Sequence, residues 1–281
     1  MSTPQPSRQR LFGILFDSLT MVEAVDWVLR SIAIGRRRAT RCIVTPNVSI
    51  TLRHQHDARL RQYVADADLT VADGMPLVLA SRWRGQPLPE RVAGSDLVNA
   101  VFDAAIEEWP LRVFLLGAAP GVADRAAAAI HARWPHVRVV GTDSPPRGFE
   151  QHPEENRRIL QLIKEGRPDI VIVGLGAPKQ EAWAHQHRHD IAAAVTMCVG
   201  GTIDFLAGEQ RRAPVWMRRT GLEWVWRLAT SPRRLLGRYV GDAIRLPGLL
   251  WSEHRGRCPQ HPEAAVRTDR QRRHSSAGEP S

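Results

Sequence analysis

The alternation of short apolar runs with helical patterns constrains this chain more than any other feature of its sequence. Runs bounded by Gly, Pro or Asp predict strands at Cys42–Thr45, Leu69–Ala72, Val113–Leu116, Val137–Val140, Ile170–Val173 and Val195–Val199. Helical spacing between them predicts helices around Met21–Ile34, Ala58–Ala65, Ser95–Trp109, Gly121–Trp134, Pro153–Glu165 and Lys179–His187. We therefore predict an α/β fold, Rossmann-like in the broad sense, with a mostly parallel sheet and helices on both faces.

The strand pattern stops after Gly200 and Gly201, and this change divides the chain. Residues 11–208 are predicted to form the α/β domain, preceded by a flexible N-terminus over residues 1–10. Residues 209–251 are rich in Arg and Trp, with helical spacing broken at Pro214, Pro232 and Pro247, and predict a helical appendage. Residues 252–281 are poor in apolar side chains and predict a disordered tail.

The positive charge is concentrated in the C-terminal part of the chain. The 281 residues carry a formal net charge of +10. Residues 205–281 alone contain 15 arginines and no lysine against seven acidic residues. The basic character therefore belongs to the appendage and the tail, and favours an anionic partner such as a membrane surface.

The cysteine and apolar patterns indicate a protein of the reducing cytoplasm. Three cysteines, at positions 42, 198 and 258, lie far apart and predict neither a disulfide framework nor a paired zinc motif. No apolar run reaches 18 residues, and the stretch from Leu11 to Phe16 is too short for the core of a signal sequence. We expect no membrane-spanning helix and no export signal.

Polar or glycine-rich residues follow three of the predicted strands, at 45–47, 73–76 and 174–181. Because the carboxyl ends of parallel strands converge on one crevice, these segments are expected to share a binding site. The turn at Gly174 and Gly176 precedes the helix that begins near Pro178 and Lys179. Its backbone N–H groups could hold a diphosphate, although such turns often only tighten a strand-to-helix connection.

Two common nucleotide-binding motifs are missing from the sequence. Lys179 occupies the position of the third glycine in the dinucleotide fingerprint, and no Walker-type Gly-Lys-Ser/Thr occurs. NAD-dependent oxidoreduction is therefore a disfavoured alternative, and P-loop chemistry is disfavoured as well.

Asp73 directly follows an apolar strand, so its carboxylate is expected at the mouth of the crevice, where a general base would lie. From position alone, a cap on the helix that Pro76 helps to begin is at least as good an interpretation.

Asp66 and Asp68 match an Asp-x-Asp metal motif but precede a strand, which favours a solvated turn. His185, His187 and His189 are interpreted as surface residues, and no metal site is predicted.

Three tryptophans, Trp216, Trp224 and Trp226, alternate with arginines in the appendage. Indole and guanidinium groups together suit the interfacial layer of an anionic membrane. A helix packed on the main domain, with its arginines extended into water, fits the same pattern equally well. No recognised nucleic-acid-binding module accompanies these residues, so nucleic acid is not an expected partner.

Six motifs, taken in order, resemble the WecG/TagA/CpsF glycosyltransferase family between about Leu11 and Leu246. They are TPN at 45–47, ADGMPLV at 72–78, ERVAGSDL at 90–97, VGLGAPKQE at 173–181, GGTIDFLAG at 200–208 and RAPVWMRRTGLEWVWRL at 212–228. Several ordered motifs at consistent spacing are more specific than any single one.

The resemblance implies an inverting transfer of a hexose or N-acetylhexosamine-type sugar from a UDP-sugar to a polyprenyl-diphosphate-linked saccharide, without a metal or other cofactor. It implies that residues 11–208 are a catalytic domain with Asp73 as the catalytic aspartate. Together with the turn residues above, the expected substrate-binding set is Thr45, Asn47, Gly74, Arg91, Gly174, Gly176, Pro178, Lys179, Gln180, Gly201, Asp204, Arg227, Arg234 and Arg238. Arg238 fits the family spacing only with an offset of one residue.

The resemblance also implies a place in cell-surface polysaccharide biosynthesis and an appendage that associates with the inner face of the cell membrane. No residue selects the donated sugar, and the sequence leaves a homo-oligomer open. The alternative from another class is a non-catalytic module that keeps a nucleotide-binding fold and binds membrane or nucleic acid.

Overall fold

The computed structural model describes residues 7–36, 38–210, 212–214, 216–217, 222–230 and 232–258, with only the backbone described at 232–235 and 238. Its strands are β1 (Arg8–Leu11), β2 (Ile14–Asp17), β3 (Arg41–Val44), β4 (Leu69–Thr70), β5 (Leu111–Gly117), β6 (Val137–Asp143), β7 (Ile170–Gly174) and β8 (Val195–Cys198). Its helices are α1 (Met21–Ile34), α2 (Val48–His54), α3 (Ala58–Ala65), α4 (Met75–Trp83), α5 (Gly94–Asp103), α6 (Val122–Arg133), α7 (Pro153–Gly166), α8 (Lys179–Gln186), α9 (Thr202–Leu206), α10 (Glu223–Thr230) and α11 (Pro232–His254).

The main sheet has six strands in the order β4-β3-β8-β7-β5-β6, and every neighbouring pair is parallel. Alternate residues of β5 enter different cores, because side chains of a strand point to opposite faces. Val113 and Leu115 pack with apolar residues of α1, α5 and α6, whereas Phe114 and Leu116 pack with α7 and α8. The predicted α/β fold, with its parallel sheet and helices on both faces, is confirmed.

All six predicted strands are present, but one predicted helix is too long. The helix predicted over Ser95–Trp109 ends at Asp103, and a short turn joins Ile106 to Trp109. Pro110 follows directly, and a residue before proline avoids the helical conformation. Pro110 therefore disfavours helix at Trp109, the last residue of the predicted helix.

A hairpin of β1 and β2 precedes the main sheet, so the flexible N-terminus predicted for residues 1–10 is wrong for residues 8–10. Phe12 and Gly13 both have positive φ, as a tight two-residue turn between twisted strands requires. The hairpin is fixed to β4 by Asp17, whose carboxylate accepts from the Thr70 N–H at 2.7 Å and from Arg8 at 2.7 Å. Residues 1–6 lie outside the described part of the chain.

Helix α11 continues beyond the point where the sequence predicts disorder. It includes Pro247 and runs to His254, so the predicted helix break at Pro247 is wrong. The proline lacks an N–H for the carbonyl of Ala243, but both residues are exposed, where water can satisfy that carbonyl. Residues 252–258 are also ordered, since Glu253 and Cys258 are buried against the domain. The remainder of the predicted tail, 259–281, lies outside the described residues.

Glu253 gives a test of this corrected boundary. Its carboxylate accepts from the buried backbone N–H of Phe12 at 2.9 Å. We expect Glu253→Ala to lower the free energy of unfolding by roughly 1–3 kcal/mol, because it leaves that N–H buried without a partner. The measurement is the urea midpoint at an unchanged m-value.

The matched control is Glu209→Ala, whose exposed pair with Arg125 is expected to contribute less than about 1 kcal/mol. Equal stability of the two variants would show that the segment around Glu253 does not support the fold.

Among the described residues, no helix combines the length and the apolar character needed to cross a bilayer. All three cysteines are buried free thiols.

Candidate active site

The strand ends that the sequence singled out do converge at the carboxyl edge of the sheet. The Asp73 N–H donates to the carbonyl of Pro46 at 3.0 Å, and the Val92 N–H donates to that of Ala72 at 3.0 Å. These bonds bring the segment after β3, the segment after β4 and the segment that carries Arg91 to one place. A further contact, from the Val199 N–H to the Val173 carbonyl at 3.3 Å, joins the ends of β7 and β8.

Asp73 lies at the centre of this edge and does not cap a helix. The N-cap of α4 is Gly74, and no side chain makes a cap hydrogen bond there. The side chain of Asp73 is 30% exposed. The capping interpretation is therefore wrong, and the carboxylate remains available to a ligand in the crevice.

The pKa of Asp73 is raised to about 6, chiefly because burial disfavours the charged carboxylate. The positive charges of Arg91 and Arg227 oppose this rise, whereas the carboxylates of Glu223 and Asp96 add to it. A carboxyl with a pKa near 6 is largely ionised at pH 7 and is a stronger base than an ordinary aspartate. These are the properties of a general base that works near neutral pH.

Arg91 is the centre of a cluster of three carboxylates. Its Nη1 lies 2.9 Å from Glu223 and 3.9 Å from Asp73, and its Nη2 lies 2.7 Å from Asp96. Its side chain is only 13% exposed, so these pairs are shielded from solvent. Arg91 is thus beside the candidate base, as the sequence predicts, but its shortest contacts are to other residues.

A second group of cations lies near the same site. Arg212 Nη2 donates to Asp96 at 2.6 Å and to the hydroxyl of Ser95 at 2.9 Å. The guanidinium groups of Arg212 and Arg227 lie over the ring of Phe205, at 5.7 and 5.3 Å from its centre. The buried Nε of Arg227 has no hydrogen-bond partner among the described residues. Arg227 therefore has unused donor capacity beside the site.

The glycine-rich turn after β7 lies close to its neighbours. A Cβ at Gly174 would lie 2.9 Å from the carbonyl oxygen of Gly200, so only glycine fits there. Gly176 has φ of +79°, and Pro178 precedes α8. Lys179 begins α8, but its ammonium pairs with Glu150 at 2.7 Å and is not free in the turn.

Gln180, which the sequence predicts to bind substrate, is buried and makes hydrogen bonds within the protein. Its side chain is 3% exposed, and its amide oxygen accepts from the Gly200 N–H at 3.0 Å. Its amide nitrogen donates to Glu181 at 2.8 Å. In this structure Gln180 holds the loop that carries Gly201 and Asp204, because both the oxygen and the nitrogen of its amide bond within the protein.

The other predicted binding residues are placed at the same edge with mixed roles. The hydroxyl of Thr45 is buried and donates to the carbonyl of Cys198, and Asn47 caps α2 through its side-chain oxygen. Gly201 precedes α9, and Asp204 on that helix accepts from Gln210 at 3.1 Å. Arg234 and Arg238 lie in α11, where the structure describes their backbone but not their side chains.

Sequence reasoning missed Asp96, Glu223 and Arg212. Asp96 lies in the same motif as Arg91, five residues on. Glu223 is the one acidic residue between 210 and 241, within a segment of arginines and tryptophans. A single negative charge in this positively charged segment could have marked Glu223 as a residue with a specific partner. No local sequence pattern identifies that partner as Arg91.

The Asp-x-Asp motif at Asp66 and Asp68 lies away from the cluster around Arg91. Asp66 pairs with His185 at 2.8 Å, and Asp68 pairs with Arg188 at 3.2 Å. The predicted turn is present, and both carboxylates in it are partly exposed and have side-chain partners. Within the described part of the chain, no group of three His, Cys, Asp or Glu residues could hold a metal ion.

The fold and the site together define an α/β enzyme whose base candidate and cations lie at the carboxyl edge of an open parallel sheet. The model of the glycosyl transferase WecG/TagA/CpsF family matches residues 9–259, so the chain belongs to that family and is a glycosyltransferase.

Two relatives carry the name N-acetylglucosaminyldiphosphoundecaprenol N-acetyl-beta-D-mannosaminyltransferase. A protein of Bacillus spizizenii is 33% identical over 192 residues, which cover 68% of this chain and 72% of that protein. A protein of Staphylococcus aureus is 31% identical over 230 residues, which cover 80% of this chain and 85% of that protein.

Proposed function

We propose that this protein is an inverting glycosyltransferase that moves a hexose or N-acetylhexosamine-type sugar from a UDP-sugar to a polyprenyl-diphosphate-linked saccharide. The observation that carries the proposal is the pairing of a base candidate with cations at one strand edge. Asp73 has its pKa raised to about 6, and Arg91 and Arg227 act electrostatically on its carboxylate. Cell-surface polysaccharide biosynthesis is the process in which such an acceptor is used.

The proposed reaction is a single displacement with Asp73 as the base. The carboxylate takes the proton of the acceptor hydroxyl as the acceptor oxygen forms its bond to the anomeric carbon of the donor. The bond between that carbon and the β-phosphate oxygen breaks, and its electron pair leaves with UDP. Attack from the face opposite UDP inverts the configuration at the anomeric carbon.

Arginine side chains can supply the charge that the leaving diphosphate requires. As the glycosidic bond breaks, negative charge grows on the β-phosphate, and a fixed guanidinium stabilises it through charge-assisted hydrogen bonds. Arg227 has an unpartnered Nε beside the site, and the turn at Gly174 adds backbone N–H groups. Arg234 is proposed for the same role from its motif spacing. We therefore propose that no metal ion is required.

The names of the two relatives support the acceptor class and suggest which donor to try first. Both act, by name, on an acceptor with a diphosphoundecaprenol group and transfer N-acetylmannosamine. We propose the same acceptor class here, and UDP-N-acetylmannosamine as the first donor in a panel that also contains UDP-glucose and UDP-N-acetylglucosamine.

The deciding experiment measures UDP release from each donor with a soluble analogue of the polyprenyl-diphosphate N-acetylglucosamine acceptor. We expect acceptor-dependent UDP release with one donor, and a rate that EDTA leaves unchanged. Loss of activity on chelation, restored by Mg²⁺ or Mn²⁺, would contradict the metal-free mechanism. No acceptor-dependent release with any donor would favour the non-catalytic module instead.

We also propose that the appendage holds the enzyme on an anionic membrane surface, at the cytoplasmic face where such donors are found. The exposed side chains of α11 include Leu236, Val240, Ile244 and Trp251, which recur on one face of the helix. Trp216 and Trp224 are 60% and 51% exposed. Apolar and aromatic side chains among arginines suit the headgroup layer.

Binding to anionic liposomes is expected to weaken with rising salt without disappearing. Salt screens the arginines, each worth about 1 kcal/mol near the surface, but affects buried apolar area little. Ile244→Glu should weaken binding about tenfold, because it places a charge on the apolar face. Val22→Glu is the matched control, since Val22 is equally exposed on α1. An equal loss of liposome binding in both variants would show that α11 does not form the membrane-binding surface.

A further inference from the structure

The acidic residues of the appendage face the α/β domain. Between positions 209 and 258 there are four, Glu209, Glu223, Asp242 and Glu253. Glu209 pairs with Arg125 at 2.7 Å, Asp242 accepts from Ser49, and Glu253 accepts from the N–H of Phe12. Glu223 differs from the other three, because its partner Arg91 belongs to the candidate active site.

Glu223 and Asp73 compete for the same nitrogen atom. Nη1 of Arg91 lies 2.9 Å from Glu223 but 3.9 Å from Asp73. The side chain of Glu223, at the first position of α10, is only 15% exposed, so water weakens this pair little. Asp96 holds the other terminal nitrogen at 2.7 Å. The guanidinium is therefore held from two sides at a distance from the base.

Without Glu223, only Asp96 would hold Arg91, and it holds the other terminal nitrogen, Nη2. Nη1 would lose its nearest carboxylate, and a shift of about 1 Å would give a direct ion pair with the base, at the usual N–O distance of about 2.8 Å. A directly paired carboxylate is a weaker base and is less free to take a proton from an acceptor.

We propose that Glu223 is a positioning residue, which draws Arg91 off Asp73 and so keeps the base reactive. The proposal rests on the proposed function, since it assumes that Asp73 is the base. Under this proposal the appendage contributes an acidic residue, Glu223, to the active site, in addition to any arginine that it contributes.

The charged groups around Asp73 predict the direction in which its pKa changes when Glu223 is replaced. Arg91 and Arg227 lower the pKa of Asp73, whereas Glu223 and Asp96 raise it. Replacing Glu223 by a neutral residue removes one carboxylate and lets Arg91 approach. Both effects lower the pKa of Asp73 from about 6.

The test uses the full chain with Glu223→Gln, Glu223→Asp and the control Glu209→Gln, which neutralises an appendage carboxylate away from the site. The first readout is the carboxyl ¹³C NMR titration of Asp73, assigned by its loss in Asp73→Asn. We expect Asp73 to titrate at lower pH in Glu223→Gln than in the wild type, with Glu223→Asp close to the wild type. Glu209→Gln should leave the titration unchanged.

The second readout is the pH dependence of transfer. We expect kcat to fall about tenfold in Glu223→Gln with little change in KM, and the acidic limb of the profile to move to lower pH. Glu223→Asp should recover most of the rate.

Unchanged titration of Asp73 in Glu223→Gln would overturn the proposal, as would an equal shift in Glu209→Gln. The NMR titration needs no substrate, so it decides the role of Glu223 even if no donor supports transfer and the proposed function fails.

Discussion

Asp73→Asn is expected to lower turnover by about 10²-fold or more, the range for the loss of a general base. Asparagine has nearly the same shape but cannot accept the proton of the acceptor hydroxyl. Donor binding should persist, because the amide fills the same space. The measurement is UDP release under saturating donor and acceptor, with donor binding followed by thermal shift.

The pH profile gives the same prediction a second form. Wild-type kcat/KM should fall as the pH drops through about 6, where Asp73 of the free enzyme becomes protonated, and Asp73→Asn should lose this limb. Stability should not suffer. The folded-state pKa lies above the ordinary value of 3.8, so ionised Asp73 works against folding as the pH rises from about 4 to about 6. At pH 7 the amide should therefore be as stable as the wild type or more so.

Asp66→Asn is the matched control, since Asp66 pairs with His185 away from the Arg91 cluster. Its turnover should stay near that of the wild type. A near-normal rate for Asp73→Asn at neutral pH would remove Asp73 from the mechanism.

Arg227→Gln is expected to lower kcat by about 10²-fold, the usual effect of removing one group that stabilises charge in a transition state. The loss should appear mainly in kcat, because the charge on the leaving diphosphate grows as the bond breaks. The assay uses a soluble acceptor analogue, so that membrane binding does not contribute.

The control is Arg255→Gln, which removes an arginine that follows α11 and lies over Trp251. It should keep the wild-type rate with the soluble acceptor. If Arg227→Gln also kept that rate, Arg227 would have no part in the transfer reaction, and the appendage would act only as a membrane anchor.

The sequence was sufficient for the main sheet of the protein. Apolar runs and helical spacing are local patterns, so all six strands of the sheet could be predicted, as could α1 and α3 with their bounds. The order of motifs identified the family, and the position of Asp73 after a strand placed it at the right edge. Each of these follows from a few neighbouring residues and from the rule that parallel strands end together.

Other features depended on contacts that no local pattern contains. The β1–β2 hairpin was missed because its apolar run is short, and it is stabilised by distant residues, namely Thr70 and Glu253. The internal hydrogen bond of Gln180 could not be predicted for the same kind of reason, since its partner Gly200 comes 20 residues later.

The electrostatics of the site were decided by tertiary structure alone. Sequence position suggested that Asp73 could be a base, but its raised pKa comes from burial and from charges brought together by folding. Arg91 and Glu223 are 132 residues apart in sequence, yet they meet at 2.9 Å beside that carboxylate. A pKa depends on solvent exclusion and on distances between charges in space. Sequence spacing fixes neither quantity, so only the folded chain shows which carboxylate is tuned and which residues tune it.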